Sequence, residues 1–114
     1  MAHNYEGPEA RQWLESNANP AGFASNRFAS PAQARLFVAA LYTAGAKRVI
    51  IPKTCIHDDE IEMKQGGPYA DAILAEFDPK NCEEILRIFR SEAQHEGYDE
   101  EVTGVDGWIF FWWD

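Results

Sequence analysis

Six consecutive residues late in the sequence, Trp108-Ile109-Phe110-Phe111-Trp112-Trp113, put large apolar side chains on both faces of an extended strand. Side chains alternate across a strand, so Trp108, Phe110 and Trp112 share one face and Ile109, Phe111 and Trp113 the other. A strand with one wet face alternates apolar with polar residues instead. This run therefore calls for cover on two sides. One layer is expected from the domain's own helices, the second from an added element, another subunit or a ligand. With seven Phe, four Trp and four Tyr in 114 residues, the chain has the ring volume for one such core and is too short for two.

The helices that could supply the first layer are legible. Ser30 can cap a helix that opens with Pro31, and Gln33 sits three residues past the cap. Ala34, Phe37, Val38 and Leu41 recur at helical spacing, which predicts a helix over 31–44 stopped by Gly45. The β-branched Val49, Ile50 and Ile51 then predict a strand over 47–52, ended by Pro52. Asn81 and Glu84 form a capping box for a second helix, with Cys82, Ile85, Leu86, Ile88, Phe89 and Ala93 on its apolar stripe and Glu96-Gly97 at its end. Between these helices, 69–77 predicts an interior strand with Ile73, Ala75 and Phe77 on one face and Ala72, Leu74 and Glu76 on the other. Asp78-Pro79-Lys80 reads as a turn, residues 98–103 as an acidic loop, and Gly104 and Gly107 as turn residues around Asp106.

A short N-terminal helix is expected with Pro8 at its first position, Trp13 and Leu14 as its apolar residues, and Asn17, Asn19 and Pro20 closing it. Residues 21–28 are poor in β formers, yet the element order calls for a strand there, anchored by Phe23 and Phe28. The whole then reads as one domain over 1–114. A helical appendage (1–19) precedes a β-α-β-β-α-β core (20–114), the order of a ferredoxin-like split β-α-β sandwich. Fold order of this kind specifies no activity.

Several residues carry chemistry. Residues 54–68 form the longest segment without a clear period, and they hold Cys55, His57, Asp58, Asp59, Glu60 and Glu62 before Gly66-Gly67-Pro68. Cys55, His57 and Asp59 are the catalytic candidates: His57 beside Asp59 or Glu60 is a tunable imidazole, and Cys55 with His57 has the composition of a nucleophile–base pair. His57, Asp58, Asp59 and Glu62 are the metal-ligating candidates; a closed zinc site would also need Cys82 and His95 from the second helix. A solvated acidic loop is the favoured account of the same residues, the spacing does not match the twelve-residue calcium loop, and no metal is expected. Asn26 and Arg27, just before a helix N-terminus, are the ligand-binding candidates, with turn formation as the plain alternative. Gly66-Gly67-Pro68 lacks the lysine of a phosphate loop. No cofactor is indicated.

Ten Lys and Arg against nineteen Asp and Glu leave a net charge of −9, which disfavours nucleic acid and anionic membrane as partners. Two cysteines without a motif, no apolar run near the roughly 20 residues of a membrane span, and no signal-like start make the cytoplasm the expected compartment. The functional expectation is a noncatalytic interaction or regulatory module that homodimerises, or meets a protein partner, through Trp108, Ile109, Phe110, Phe111, Trp112 and Trp113. The alternative is a small enzyme or ligand-binding protein with a polar site around the 53–68 loop.

Overall fold

The computed structural model describes residues 6–113 apart from 18, 20, 21, 26, 58, 59, 65 and 97–106, with the backbone alone for 61 and 62. Along the chain come α1 (Ala10–Ser16), α2 (Pro31–Thr43), β1 (Arg48–Ile50), a 3-10 turn (Lys53–Cys55), α3 (Glu60–Lys64), β2 (Ala72–Glu76), α4 (Glu83–Glu96) and β3 (Trp108–Trp112). The three strands pair antiparallel in the order β1-β2-β3, giving a mixed α+β fold.

Local chemistry explains α2. The Ser30 hydroxyl accepts the Gln33 N–H at 3.3 Å, while the Gln33 side chain accepts the Ala29 N–H at 3.0 Å. Gly45, at φ 113°, ends the helix in a conformation that costs other residues a Cβ clash. α1 departs from expectation. Its cap is Glu9, whose carboxylate accepts the Gln12 N–H at 2.9 Å, and Pro8 lies outside the helix. The Pro8 and Glu6 carbonyls instead accept the N–H groups of Ile51 and Lys53, each at 2.9 Å. The chain beyond β1 has backbone donors to satisfy, and the N-terminal segment satisfies them. Gly7 permits the approach, since a Cβ there would stand 1.8 Å from the Ile51 carbonyl oxygen.

Among the described residues of 21–28 the expected strand does not form. Phe23 makes one isolated parallel bridge to Ala70, after which the chain turns at Ala24 (φ 40°), whose carbonyl accepts the N–H groups of Arg27 at 2.8 Å and Phe28 at 2.9 Å. Local turn bonds win over a ladder in a segment of weak β formers. Ala21 and Asn26 fall outside the described residues. The 54–68 segment is also less irregular than expected, containing part of the 3-10 turn and all of α3. Its Gly66-Gly67-Pro68 end is tied to the close of α1, where Asn17 donates to the Pro68 carbonyl at 2.8 Å and Asn19 to that of Gly67 at 3.2 Å. α4 starts at Glu83, two residues after the expected Asn81 cap. The acidic loop expected over 98–103, with Gly104 and Asp106, lies outside the described residues, while Gly107 adopts φ 82° at the entry to β3.

The strand faces fall as their alternation requires. Ile73, Ala75, Phe77, Ile109, Phe111 and Trp113 join Ala34, Val38 and Leu41 of α2, Ile85 and Phe89 of α4, and Ala10 and Leu14 of α1 in one buried cluster. Each large apolar side chain buried there contributes roughly 1.5–3 kcal/mol. On the other face Ile50, Leu74 and Trp108 cluster with Phe110, and the Arg48 guanidinium lies 5.0 Å from the Trp108 ring centre. That face needs no second molecule at its centre. Ile50, Leu74 and Trp108 are 2%, 1% and 7% exposed in a single chain, and Phe110 stacks on Trp112 at 5.5 Å. The centre of this face is therefore already buried within one chain.

Candidate functional site

The most demanding group in the core is the indole of Trp113, which is 1% exposed. Four rings enclose it: Phe28, Phe23 and Phe37 edge-on at 5.3, 5.6 and 5.6 Å, and Phe111 stacked at 6.2 Å. A buried indole N–H needs an acceptor. It finds the Glu92 carboxylate of α4, with Nε1 donating to Oε2 at 2.8 Å. Glu92 is itself buried, and a buried carboxylate needs a counter-charge. Arg27 provides it from the turn after Ala24, donating from Nε to Oε2 at 2.5 Å and from Nη2 to Oε1 at 3.1 Å. Burial pushes the Glu92 acid upward, but the Arg27 and Trp113 hydrogen bonds outweigh it and hold the carboxyl below its ordinary range. The Glu92 hydrogen bond correspondingly raises Arg27.

Packing requirements end at Arg27. The last turn of α4 continues with His95 and Glu96, three and four residues beyond Glu92 and so on the same side of the helix. His95 Nδ1 lies 3.0 Å from Glu96 Oε2. One ligand atom from each of Glu92, His95 and Glu96 falls within 4.8 Å of the other two, the span of a metal-ligand set. The set runs from a buried carboxylate through a half-buried one to an exposed imidazole, which opens it to solvent on one side. Carbonyls at the helix C-terminus add negative potential there.

The 53–68 candidates are placed differently. Cys55 ends the 3-10 turn, half-buried, and burial raises its thiol above the ordinary value, which disfavours the reactive thiolate. His57 is exposed and pairs through its backbone with Tyr69, N–H to carbonyl at 2.7 Å and the reverse at 2.8 Å. Asp58 and Asp59, and the Glu62 side chain, lie outside the described residues. Cys82 donates its thiol to the Pro79 carbonyl at 3.4 Å. His95, considered from sequence only as a distant recruit to Cys55 and His57, stands with two glutamates of its own helix. The signal was Glu92-Ala-Gln-His95-Glu96, a run with ligand types at i, i+3 and i+4. Nothing in that run marks Glu92 as buried.

A mixed α+β fold with a partly buried polar site is the class these observations define. No protein-family model, curated protein or solved structure matches the chain. Among the described residues no helix is long and apolar enough to cross a membrane. The expectation of a noncatalytic module homodimerising through the aromatic strand is overturned. The Glu92–His95–Glu96 set and its hydrogen-bond network have the form of a ligand or metal site, and Trp113, assigned to the interface, is instead the buried donor that anchors it. The alternative reading, a ligand-binding protein, fits better, with its polar site on α4 and away from the 53–68 loop.

Proposed function

We propose that the protein binds a divalent metal ion of the zinc class through Glu92, His95 and Glu96. The observation that carries this reading is the convergence of one nitrogen and two carboxylate ligands within 4.8 Å on one helical turn. Imidazole with carboxylate is a donor set that zinc accepts, and three protein ligands leave a position for water or a ligand group. Two ligands project from a surface turn and cost little to organise, because α4 already fixes their spacing.

Titration of tag-free protein with Zn²⁺, followed by calorimetry, tests the proposal. One equivalent should bind, and His95→Ala and Glu96→Ala, both outside the core, should abolish binding while the fold remains intact by circular dichroism. Co²⁺ should give the visible absorption bands of a low-coordinate nitrogen–oxygen site. Binding that never saturates, or that survives His95→Ala, refutes the reading.

The finer fold relation belongs to the proposal too. A ferredoxin-like order, its first strand reduced to the Phe23 bridge, draws support from the parallel sense of that bridge to Ala70, while β3 pairs directly with β2 where that order sets the first strand between them. One domain over 1–114 is supported by a core cluster that includes Ala10 and Leu14 of α1. Two unpaired cysteines, Cys55 and Cys82, support a reducing, cytoplasmic setting.

A further inference from the structure

Arg27 stands in an awkward place for a metal site. Its nitrogens lie 2.5 and 3.1 Å from the Glu92 oxygens, and a metal–oxygen bond is about 2.0–2.2 Å long. An ion bound to Glu92 would therefore lie within about 5 Å of the guanidinium, a separation at which the two positive charges repel strongly in a partly buried site. Hydrogen bonding is crowded as well. Glu92 Oε2 already accepts two donors, from Arg27 and Trp113, and Oε1 accepts one from Arg27, so three of about four lone-pair positions are taken.

We infer that Arg27 is a resident competitor for the Glu92 carboxylate, and that a divalent cation binds by displacing the guanidinium from it. The inference rests on the metal-binding reading and adds the regulation of that site. Solvent is within reach of the displaced charge. The guanidinium carbon of Arg27 already lies 4.7 Å from the centre of the Phe28 ring, and 28% of the Arg27 side chain is exposed. Sliding over the ring into solvent is therefore a short move. Trp113 keeps its hold on Glu92 throughout, so the carboxylate stays aimed while its partner changes. Arg27 keeps the buried carboxylate compensated when no ion is present and sets a threshold the ion must exceed.

The sign of the consequence is unusual: removing this basic residue tightens metal binding. Arg27→Gln should bind Zn²⁺ about tenfold or more tightly than the native chain, from loss of the charge repulsion, while Arg27→Lys, which keeps the charge, should gain far less. A second measurement needs no variant that might fold poorly. In the native protein, the proton–nitrogen NMR signal of the Arg27 Nε–H, assigned by its absence in Arg27→Lys, should move toward the solvent-exposed arginine position as Zn²⁺ is added. Stoichiometric Zn²⁺ binding that depends on His95 but leaves the Arg27 signal unmoved, or an Arg27→Gln chain that binds no more tightly, overturns the displacement while metal binding stands. Absence of saturable Zn²⁺ binding in native protein and Arg27→Gln alike overturns both.

Discussion

Removing Arg27 without removing its charge partner is the sharpest test of the network under Trp113. Arg27→Met keeps an apolar stem and deletes the guanidinium, which lies over the Phe28 ring. Stranding one member of a buried ion pair costs about 3–5 kcal/mol. The Arg27 side chain is 28% exposed and the Trp113 N–H remains on Glu92, so water and the indole compensate in part; about 2–3 kcal/mol is the expected loss. Glu92→Gln leaves an amide oxygen for the indole and an arginine that can turn to solvent, at about 1 kcal/mol. The double variant holds no buried charge and should lose less than the sum of the two, with a coupling of about 1.5–2 kcal/mol. Urea unfolding of the four chains, followed by far-UV circular dichroism, measures the cycle. An Arg27→Met chain within about 0.5 kcal/mol of the native, or additive losses, would show that Glu92 is not a buried charge held by Arg27.

Other sites give independent tests. Gly7→Ala drives a Cβ into the Ile51 carbonyl, so residues 6–9 should detach from the chain beyond β1, with faster amide exchange at Ile51 and Lys53 and a loss of about 1–3 kcal/mol. Tyr42→Phe removes a hydroxyl that donates to Glu9 Oε2 at 2.7 Å and accepts the Val49 N–H at 3.1 Å; about 1–3 kcal/mol should be lost in urea unfolding. Glu9 titrates below the usual carboxylate value of 4.5: burial works against this, but the Tyr42 hydroxyl, the backbone N–H groups of Gln12 and Arg11, and the Arg11 charge prevail. Because its acid is depressed in the folded chain, its contribution is present above about pH 4.5 and is lost as pH falls through the lower folded value. Glu9→Gln should accordingly flatten the acid limb of the stability–pH curve, and an unchanged limb would refute the assignment.

What could be read from sequence is whatever short-range physics governs. The α2 cap, the Gly45 stop and the opposed faces of β2 and β3 all follow from rotamer sterics and side-chain alternation within a few residues, and they stand in the structure. The 21–28 strand gave way to local turn bonds on the Ala24 carbonyl, and the helical start at Pro8 to a non-local partner. Phe23 has one bridge partner in Ala70, and the Pro8 carbonyl is taken by Ile51.

By itself the sequence determined an aromatic-rich core with helices and an antiparallel sheet, because apolar period and capping chemistry are local properties. Only the tertiary structure decided which polar residues matter. Glu92 is one of nineteen acidic residues and Arg27 one of ten basic ones until the fold buries an indole against Glu92. The need to satisfy that donor, and then to balance the carboxylate that satisfies it, joins residues 27, 92 and 113, and no pattern along the chain encodes a requirement that arises from burial.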